Sequence, residues 1–204
     1  MSSFRWKPWV ATALAGVAGL GVSWGQDKPA ASAGHDPATH GASGLRKELF
    51  AGITEADFIK LGESPKTVKL VLIAAYTPVN YGMNFNGHFK GNAVYTVPTG
   101  WTVEVTFINP SPVPHSLLVV EKEKVRKPQV GDPIFAGASV PNPVTGMSLK
   151  KETFRFVAGE AGDYALTCGF PTHALSGHWV AFNVRDDAKA PSLKVGDGEP
   201  VEAR

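Results

Sequence analysis

"AGDYALTCGFPTHALSGHW", residues 161 to 179, contains two strand-like segments joined by a loop of small and turn-forming residues. In the first segment Leu166 and Cys168 alternate with other residues, which predicts that both side chains face the same side of one strand. His173 and His178 then follow Cys168 at five-residue intervals. This spacing predicts that one thiol and two imidazoles meet where the loop joins the strands.

The chain from residue 67 onward has the pattern of β-strands. In "WTVEVTFIN", Trp101, Val103, Val105 and Phe107 alternate with polar residues, which is typical of a half-buried strand. Further predicted strands are "TVKLVLIAAY" (67–76), "AVYTVP" (93–98), "SLLVVE" (116–121), "ETFRFVA" (152–158), "GDYALTCG" (162–169) and "HWVAFNV" (178–184). Residues 122–150 carry four prolines and are expected to form a long excursion between strands. Short strands without a long helix predict an all-β fold, an antiparallel β-sandwich.

The segments outside these strands define the predicted domain organisation. Arg5, Lys7 and an uncharged apolar run of 16 residues (9–24) are typical of an export signal. The predicted limits are a signal peptide or membrane anchor at 1–25, a flexible linker at 26–44, a short helical lead-in at 45–65, the β-domain at 66–185 and a polar, loosely ordered C-terminal tail at 186–204.

Charge and cysteine content exclude some functions. The chain has 20 Lys and Arg against 18 Asp and Glu, and removal of residues 1–26, with Arg5 and Lys7, leaves 18 of each. A nearly neutral exported protein has no electrostatic attraction for nucleic acid. Its single cysteine cannot form an internal disulfide. Cys168 is therefore expected either to bind a ligand or to be a buried, inert side chain.

A metal site is the interpretation that best uses these residues. His115 follows a proline-rich turn and begins a predicted strand, so it is a fourth candidate beside Cys168, His173 and His178. Thiolate and imidazole donors favour copper or zinc over magnesium or calcium. A thiol hydrolase is the competing use of cysteine and histidine, but no oxyanion loop or orienting Asn or Asp is evident beside Cys168. A structural zinc site is a further alternative.

Four stretches together resemble the sulfocyanin family of blue (type 1) copper proteins and, more distantly, rusticyanin. They are "NFNG" (84–87), "PHSLLVV" (114–120), "AGDYALTCGFPTHALSGHW" (161–179) and the export segment, and the resemblance covers about residues 66–185. It implies a cupredoxin fold, which is a Greek-key β-sandwich, and one bound copper ion that carries single electrons as Cu(I)/Cu(II). It also implies that His115, Cys168 and His173 bind the copper. Ser116, directly after His115, is either a residue that fixes the ligand loop or an ordinary serine at the start of a strand.

His178 is where the sequence departs from the family pattern. Family members have an axial methionine at this position, whereas this chain reads "SGHW". An imidazole is a harder donor than a thioether, so it should favour Cu(II) and lower the reduction potential. The alternatives are a surface histidine beside a copper with three protein ligands, or a thioether from Met147 or Met83.

The resulting expectation is an extracytoplasmic electron carrier that is not an enzyme. The expected partner is a redox protein such as a cytochrome or terminal oxidase, with no nucleic acid. The chain is expected to be a monomer, and an uncleaved N-terminus would be its attachment to the membrane. The alternative is a copper-handling or nitric-oxide-reactive protein with an exchangeable fourth ligand. His35, His40 and His88 are expected to be surface residues, so a second metal site is not expected.

Overall fold

The computed structural model describes residues 44–204. The strands are β1 (Ile59–Leu61), β2 (Thr67–Ile73), β3 (Ala93–Pro98), β4 (Thr102–Asn109), β5 (Leu118–Glu121), β6 (Lys150–Val157), β7 (Gly162–Thr167), β8 (Trp179–Arg185), β9 (Ser192–Val195) and β10 (Val201–Glu202). Short 3₁₀ helices span Lys47–Phe50, Glu55–Asp57, Val79–Gly82 and Lys122–Arg126. In this part of the chain no helix is long and apolar enough to cross a bilayer.

The strands form two sheets that enclose one main core. The first sheet has the order β1-β2-β4-β6 and the second has the order β10-β9-β3-β8-β7-β5. The alternation in β4 buries Val103, Val105 and Phe107, and Trp101 packs against the same core from its edge. Phe182 of β8 comes from the second sheet into this core, as expected when two sheets pack face to face. The predicted all-β sandwich is confirmed.

Two strand pairs correct the prediction of a purely antiparallel sandwich. β2 pairs with β4 in parallel, with Leu70 opposite Val105. β3 also pairs with β8 in parallel, with Tyr95 opposite Phe182. Alternating apolar residues have the same period in both kinds of pair, so the strand sequences alone could not distinguish them. The sheets are therefore mixed.

The ends of the described chain belong to the sandwich, which extends past the predicted limits of 66 and 185. Segment 186–204 was expected to be a loosely ordered tail, but β9 pairs with β3 and β10 pairs with β9. Without β9, the edge of β3 would have unpaired backbone groups. The four residues of β9 are enough to pair with them, although β9 has no apolar alternation. The lead-in forms two 3₁₀ helices and then β1, which pairs with β2. Leu49, Phe50 and Ile53 pack against Phe58.

The predicted excursion between β5 and β6 is confirmed as a long connection. After the helix Lys122–Arg126 it forms only isolated bridges, which pair Ser139 with Leu118 and Met147 with His115. It therefore covers the end of the sandwich at which His115 lies. The predicted signal or anchor (1–25) and nearly all of the predicted linker (26–43), with His35 and His40, lie outside the described residues.

Candidate metal centre

Cys168 is placed by β7, the strand that the alternation in residues 162–169 predicts. β7 pairs with β5 on one side and with β8 on the other, so it is an interior strand of its sheet. Leu166 and Cys168 face the main core, as predicted. One residue past the strand, the Cys168 backbone N–H donates to the carbonyl of His178 at 3.0 Å. The thiol is thus fully buried, and its position is fixed by the sheet.

The ligand loop, residues 169–178, is a compact turn. Ser176 N–H donates to Thr172 O at 2.9 Å, and His178 N–H donates to His173 O at 3.0 Å. Gly177 has a φ of +98°, which strains any larger residue, and a Cβ at that position would lie 2.6 Å from Cγ of Lys90 and displace that side chain. The turn brings His173 and His178 to the end of β7 where Cys168 lies.

His115 comes from the other side of the sandwich end. Its backbone forms a two-way bridge with Met147: His115 N–H donates to Met147 O at 3.1 Å, and Met147 N–H donates to His115 O at 2.8 Å. A Cβ on Gly146 would lie 3.0 Å from His115 O, so the segment requires glycine to approach this closely. His115 is 3% exposed. The connection between β5 and β6 therefore holds this imidazole in place.

His178 is held by the loop that precedes β3. Its Nε2 lies 3.2 Å from the backbone carbonyl of Asn84, and because a carbonyl only accepts, Nε2 carries the proton. Its ring lies against Phe85, with 4.2 Å between ring centroids. These two contacts leave Nδ1 as the ring atom without a proton. The imidazole is fully buried, which excludes the hypothesis that His178 is a surface residue.

The Asn84 side chain holds in place the backbone carbonyl that contacts His178. Its Nδ2 donates to Thr77 O at 2.8 Å and to Val79 O at 2.9 Å. Its Oδ1 accepts the backbone N–H of Gly87 at 3.1 Å. Asn84 is fully buried, so these bonds rigidify the loop that faces His178. "NFNG" was identified as a resemblance, but its contact with His178 was not predicted, since the spacing in sequence does not indicate it.

Four candidate donor atoms converge at this end of the sandwich. One ligand atom each from His115, Cys168, His173 and His178 lies within 4.8 Å of all the others, the one such cluster of three or more His, Cys, Asp or Glu residues within 44–204. Nδ1 of His115 and Nδ1 of His178 are buried without a hydrogen-bond partner. A buried polar atom without a partner is costly, so both atoms fit a role as metal ligands. The residues present therefore fit a bound copper or zinc ion.

Burial keeps the imidazoles neutral, as metal ligands must be. Burial, together with the nearby His173 ring, lowers the pKa of His115 to about 3. Burial and the two neighbouring imidazoles hold the pKa of His178 well below its usual range. Burial also lowers the pKa of His173. Neutral rings present lone pairs to a cation without first releasing a proton.

The Cys168 thiol, unlike the neutral imidazoles, must lose a proton before it binds a metal. Burial raises its pKa, although hydrogen bonds from the Ser116 and Phe170 backbones act against this shift. Ser116 N–H donates to Sγ at 3.3 Å, and the Ser116 hydroxyl lies 3.7 Å from Sγ. That hydroxyl accepts the Gly169 N–H at 2.8 Å. Ser116 thus joins the two ligand-bearing segments, and a metal that binds Sγ must displace the thiol proton.

The remaining candidates, Met147 and His88, are not among the clustered residues. Met147 contacts His115 through its backbone, and its side chain packs against the main core. His88 is partly buried, pairs with Phe85 through the backbone and lies outside the cluster. Of the four clustered residues, only His173 is more than marginally exposed. Its ring also contacts Phe170, with 4.7 Å between centroids.

This chain is similar to several known proteins. A sulfocyanin from Sulfolobus acidocaldarius is 29% identical over 139 residues, which cover 63% of this chain and 68% of the relative. A rusticyanin crystal structure is 26% identical and covers 64% of this chain and 88% of its own, with a TM-score of 0.41. An auracyanin structure from Roseiflexus castenholzii is 21% identical and covers 61% of this chain and 99% of its own, with a TM-score of 0.39. The sulfocyanin (SoxE) domain model matches residues 55–194, and the chain therefore belongs to the sulfocyanin family.

Proposed function

We propose that this protein is a single-electron carrier that binds one copper ion through His115, Cys168, His173 and His178. The observation that carries the proposal is the convergence of one thiol and three imidazoles, two of which have buried Nδ1 atoms without a hydrogen-bond partner. Bound copper would supply one-electron exchange between Cu(I) and Cu(II), which thiolate and imidazole donors support in both oxidation states. Membership of the sulfocyanin family favours copper over zinc.

The protein's own contribution is a rigid set of donors. The Cys168 and His178 backbones are bonded to each other, the His115 backbone is bridged to Met147, and the His178 ring is bonded to Asn84. Donors held in this way need little movement when the charge at the centre changes, and little movement keeps the barrier to electron exchange low. A rigid, largely buried site therefore suits electron transfer better than catalysis.

His173 is the expected site at which electrons enter and leave. It is the most exposed of the four clustered residues, while His115 is 3% exposed and Cys168 and His178 are fully buried. Leu175, two residues away in the same turn, is 53% exposed, and an exposed apolar side chain there provides a surface for a redox partner. We expect this partner to be a redox protein such as a cytochrome or terminal oxidase.

The burial of His178 also favours an electron carrier over the alternative function. A nitric-oxide-reactive or copper-handling protein needs a fourth ligand that can be exchanged, whereas His178 is buried and bonded to Asn84. A carrier with four fixed ligands should leave azide and nitric oxide unbound. A change in the spectrum of the oxidised protein on addition of either molecule would contradict the carrier and support the alternative.

We infer an extracytoplasmic location from the N-terminal sequence. Residues 1–25 have the charge and apolar pattern of a signal peptide or anchor. Fractionation of cells that express the full chain tests this inference. Recovery of the protein in the cytoplasm, with residues 1–25 intact, would contradict it.

The experiment that tests the function is copper loading followed by redox titration. The loaded protein should bind one copper ion per chain, show an intense visible band from the copper–thiolate bond, and exchange one electron reversibly. Zinc bound in preference to copper, with no reversible redox chemistry, would support the structural zinc site instead.

A further inference from the structure

The loops around the proposed electron exit contain cationic side chains and no acidic ones. They are residues 76–92, 109–117, 126–130, 139–149 and 168–179, and their cations are Lys90, Arg126 and Lys127. Each loop is tied to the centre by a contact already described or given below. We call this set the ligand-end loops.

The positive charge of the ligand-end loops does not reflect the composition of the whole protein. Residues 44–204 contain 17 Lys and Arg against 16 Asp and Glu, because Arg5, Lys7 and Lys28 of the 20 basic residues and Asp27 and Asp36 of the 18 acidic ones precede residue 44. The described part of the protein is therefore almost neutral, and all its acidic residues lie outside the ligand-end loops. Segregated charge of this kind creates a positive potential at one end of a protein whose net charge is small.

Lys90 lies beside the ligand loop. Its backbone N–H donates to Gly177 O at 2.8 Å. The stem of its side chain runs along Gly177, since a Cβ there would lie 2.6 Å from Cγ of Lys90 and 3.1 Å from Cε. Lys90 is exposed. Its ammonium group is thus presented to solvent next to the turn that carries His173.

Arg126 and Lys127 lie beside the opposite end of the same turn. Pro128, the next residue, accepts the Thr172 N–H at 2.8 Å, one residue before His173. Val125 and Val130 belong to the buried cluster that contains Ala174, which follows His173. Both cations are exposed. Buried valines on each side therefore fix this short cationic segment against the ligand loop.

Within residues 44–204, none of these three cations has a carboxylate oxygen within 4.0 Å. Among residues 44–204 the ion pairs within 4.0 Å involve other basic residues, such as Lys124 with Glu121 at 3.7 Å and Lys150 with Glu152 at 2.7 Å. The ammonium of Lys90 instead lies 5.9 Å from the centre of the Phe89 ring. The positive charges are therefore available to a partner.

We infer that the face around His173, flanked by Lys90, Arg126 and Lys127, docks a redox protein through an acidic surface of that protein. This inference rests on the proposed electron exit at His173. An apolar contact at Leu175 gives proximity to the exit, while the surrounding cations attract and orient the partner. Electrostatic steering of this kind raises association rates and weakens as salt is added.

The experiment measures one-electron oxidation of the reduced, copper-loaded full chain. The oxidants are anionic hexacyanoferrate(III) and cationic tris(phenanthroline)cobalt(III), each at low and high salt. We expect the rate with the anion to fall as salt rises and the rate with the cation to increase. The double variant Lys90→Glu, Lys127→Glu should lower the anion rate about tenfold at low salt and raise the cation rate.

A matched control carries the same change of net charge elsewhere. Lys66→Glu, Lys189→Glu alters two exposed lysines at the end of the sandwich away from His173, so it should change both rates less than about twofold. A polyglutamate peptide should slow the oxidation of the wild-type protein and of this control, but not of Lys90→Glu, Lys127→Glu. The visible spectrum should stay unchanged in both double variants, because neither of them alters a proposed ligand.

The possible failures are distinguishable. Equal rates in the two double variants, with normal spectra, would overturn the docking proposal and leave the electron-carrier function intact. A protein that exchanges no electron with either oxidant would contradict the function itself. Sedimentation with phosphatidylglycerol vesicles that is lost in Lys90→Glu, Lys127→Glu, without any effect of polyglutamate, would assign the face to a membrane surface and overturn the proposal.

Discussion

Nε2 of His178 donates to the backbone carbonyl of Asn84, and this bond determines which nitrogen of the imidazole faces the cluster. The carbonyl cannot donate, so the proton must lie on Nε2 and the lone pair on Nδ1. Nδ1 is the buried atom of this ring that has no partner. In the proposed centre, this contact with the "NFNG" segment leaves Nδ1 of His178 as the nitrogen that would bind the metal.

Replacement of His178 by methionine should restore the weaker axial donor of the family. We expect the spectrum of the copper-loaded protein to shift toward ordinary blue copper, and the reduction potential to rise, because a thioether stabilises Cu(II) less than an imidazole does. The Asn84 carbonyl keeps the hydrogen bond that it accepts from Ala75 N–H at 3.1 Å. Spectroscopy and voltammetry of His178→Met measure both effects.

His88→Met is the matched control for this substitution. His88 lies outside the cluster, so its replacement should leave the spectrum and the potential unchanged. Identical spectra and potentials for the wild-type protein and His178→Met would show that His178 does not bind the metal.

Cys168→Ser should abolish the intense visible band while the sandwich remains folded. The band requires a copper–thiolate bond, which a hydroxyl does not provide. Cys168 is fully buried and belongs to the main core, so a hydroxyl there should lower the free energy of unfolding by about 1–3 kcal/mol. Absorption and denaturant unfolding are the measurements. An intense band retained in Cys168→Ser would exclude Cys168 as a ligand.

A charge at Leu175 should slow exchange with the physiological acceptor. Leu175 is 53% exposed beside His173, so Leu175→Asp introduces a charge on the proposed docking face without disturbing the core. Val157→Asp, at a residue that is 52% exposed on β6, is the control. We expect about a tenfold lower rate for Leu175→Asp alone, with an unchanged spectrum. Equal rates for the two variants would place the exit elsewhere.

The metal-free protein should lose stability as the pH falls from 7 to 5. Burial lowers the pKa of His115 to about 3, and it also lowers the pKa of His173, His178 and His88. An unfolded histidine titrates near 6.5, so below this pH the unfolded chain binds more protons than the folded one. The free energy of unfolding therefore falls by about 1.4 kcal/mol per pH unit for each histidine that stays neutral when folded.

Urea unfolding of the metal-free protein at pH 7, 6 and 5 tests this prediction. The range stops at pH 5 because carboxylates with lowered pKa values, such as Asp57 and Asp163, contribute only nearer pH 4. His115→Gln should reduce the slope of the free energy of unfolding against pH by no more than about 1.4 kcal/mol per pH unit, which corresponds to one proton. A free energy of unfolding that is constant from pH 7 to pH 5 would show that the buried imidazoles are not kept neutral.

The sequence predicted most of the sandwich because its central strands alternate clearly. β4 and β7 bury the residues that their alternation indicates, including Phe107 and Leu166. β9 and β10 were missed, since a short polar edge strand is stabilised by pairing with its neighbour rather than by its own apolar pattern. Parallel pairing was missed because it depends on how distant segments cross, which local periodicity does not record.

The site was predicted in part for a similar reason. Cys168, His173 and His178 are close in sequence, so their spacing indicated a common point, and His115 was added by its place at the start of a strand. The structure brings all four together. The contact of Asn84 with His178 joins residues 94 positions apart through a backbone atom, and no side-chain pattern could indicate it.

The central claim is that one sulfur and three imidazole nitrogens bind a single copper ion. Copper X-ray absorption of the oxidised full chain, with His178→Met as a reference, counts these donors most directly. We predict one sulfur and three imidazole nitrogens in the wild-type protein, and one imidazole fewer in His178→Met. Two imidazoles in both proteins, or no sulfur in the wild type, would contradict the proposed centre.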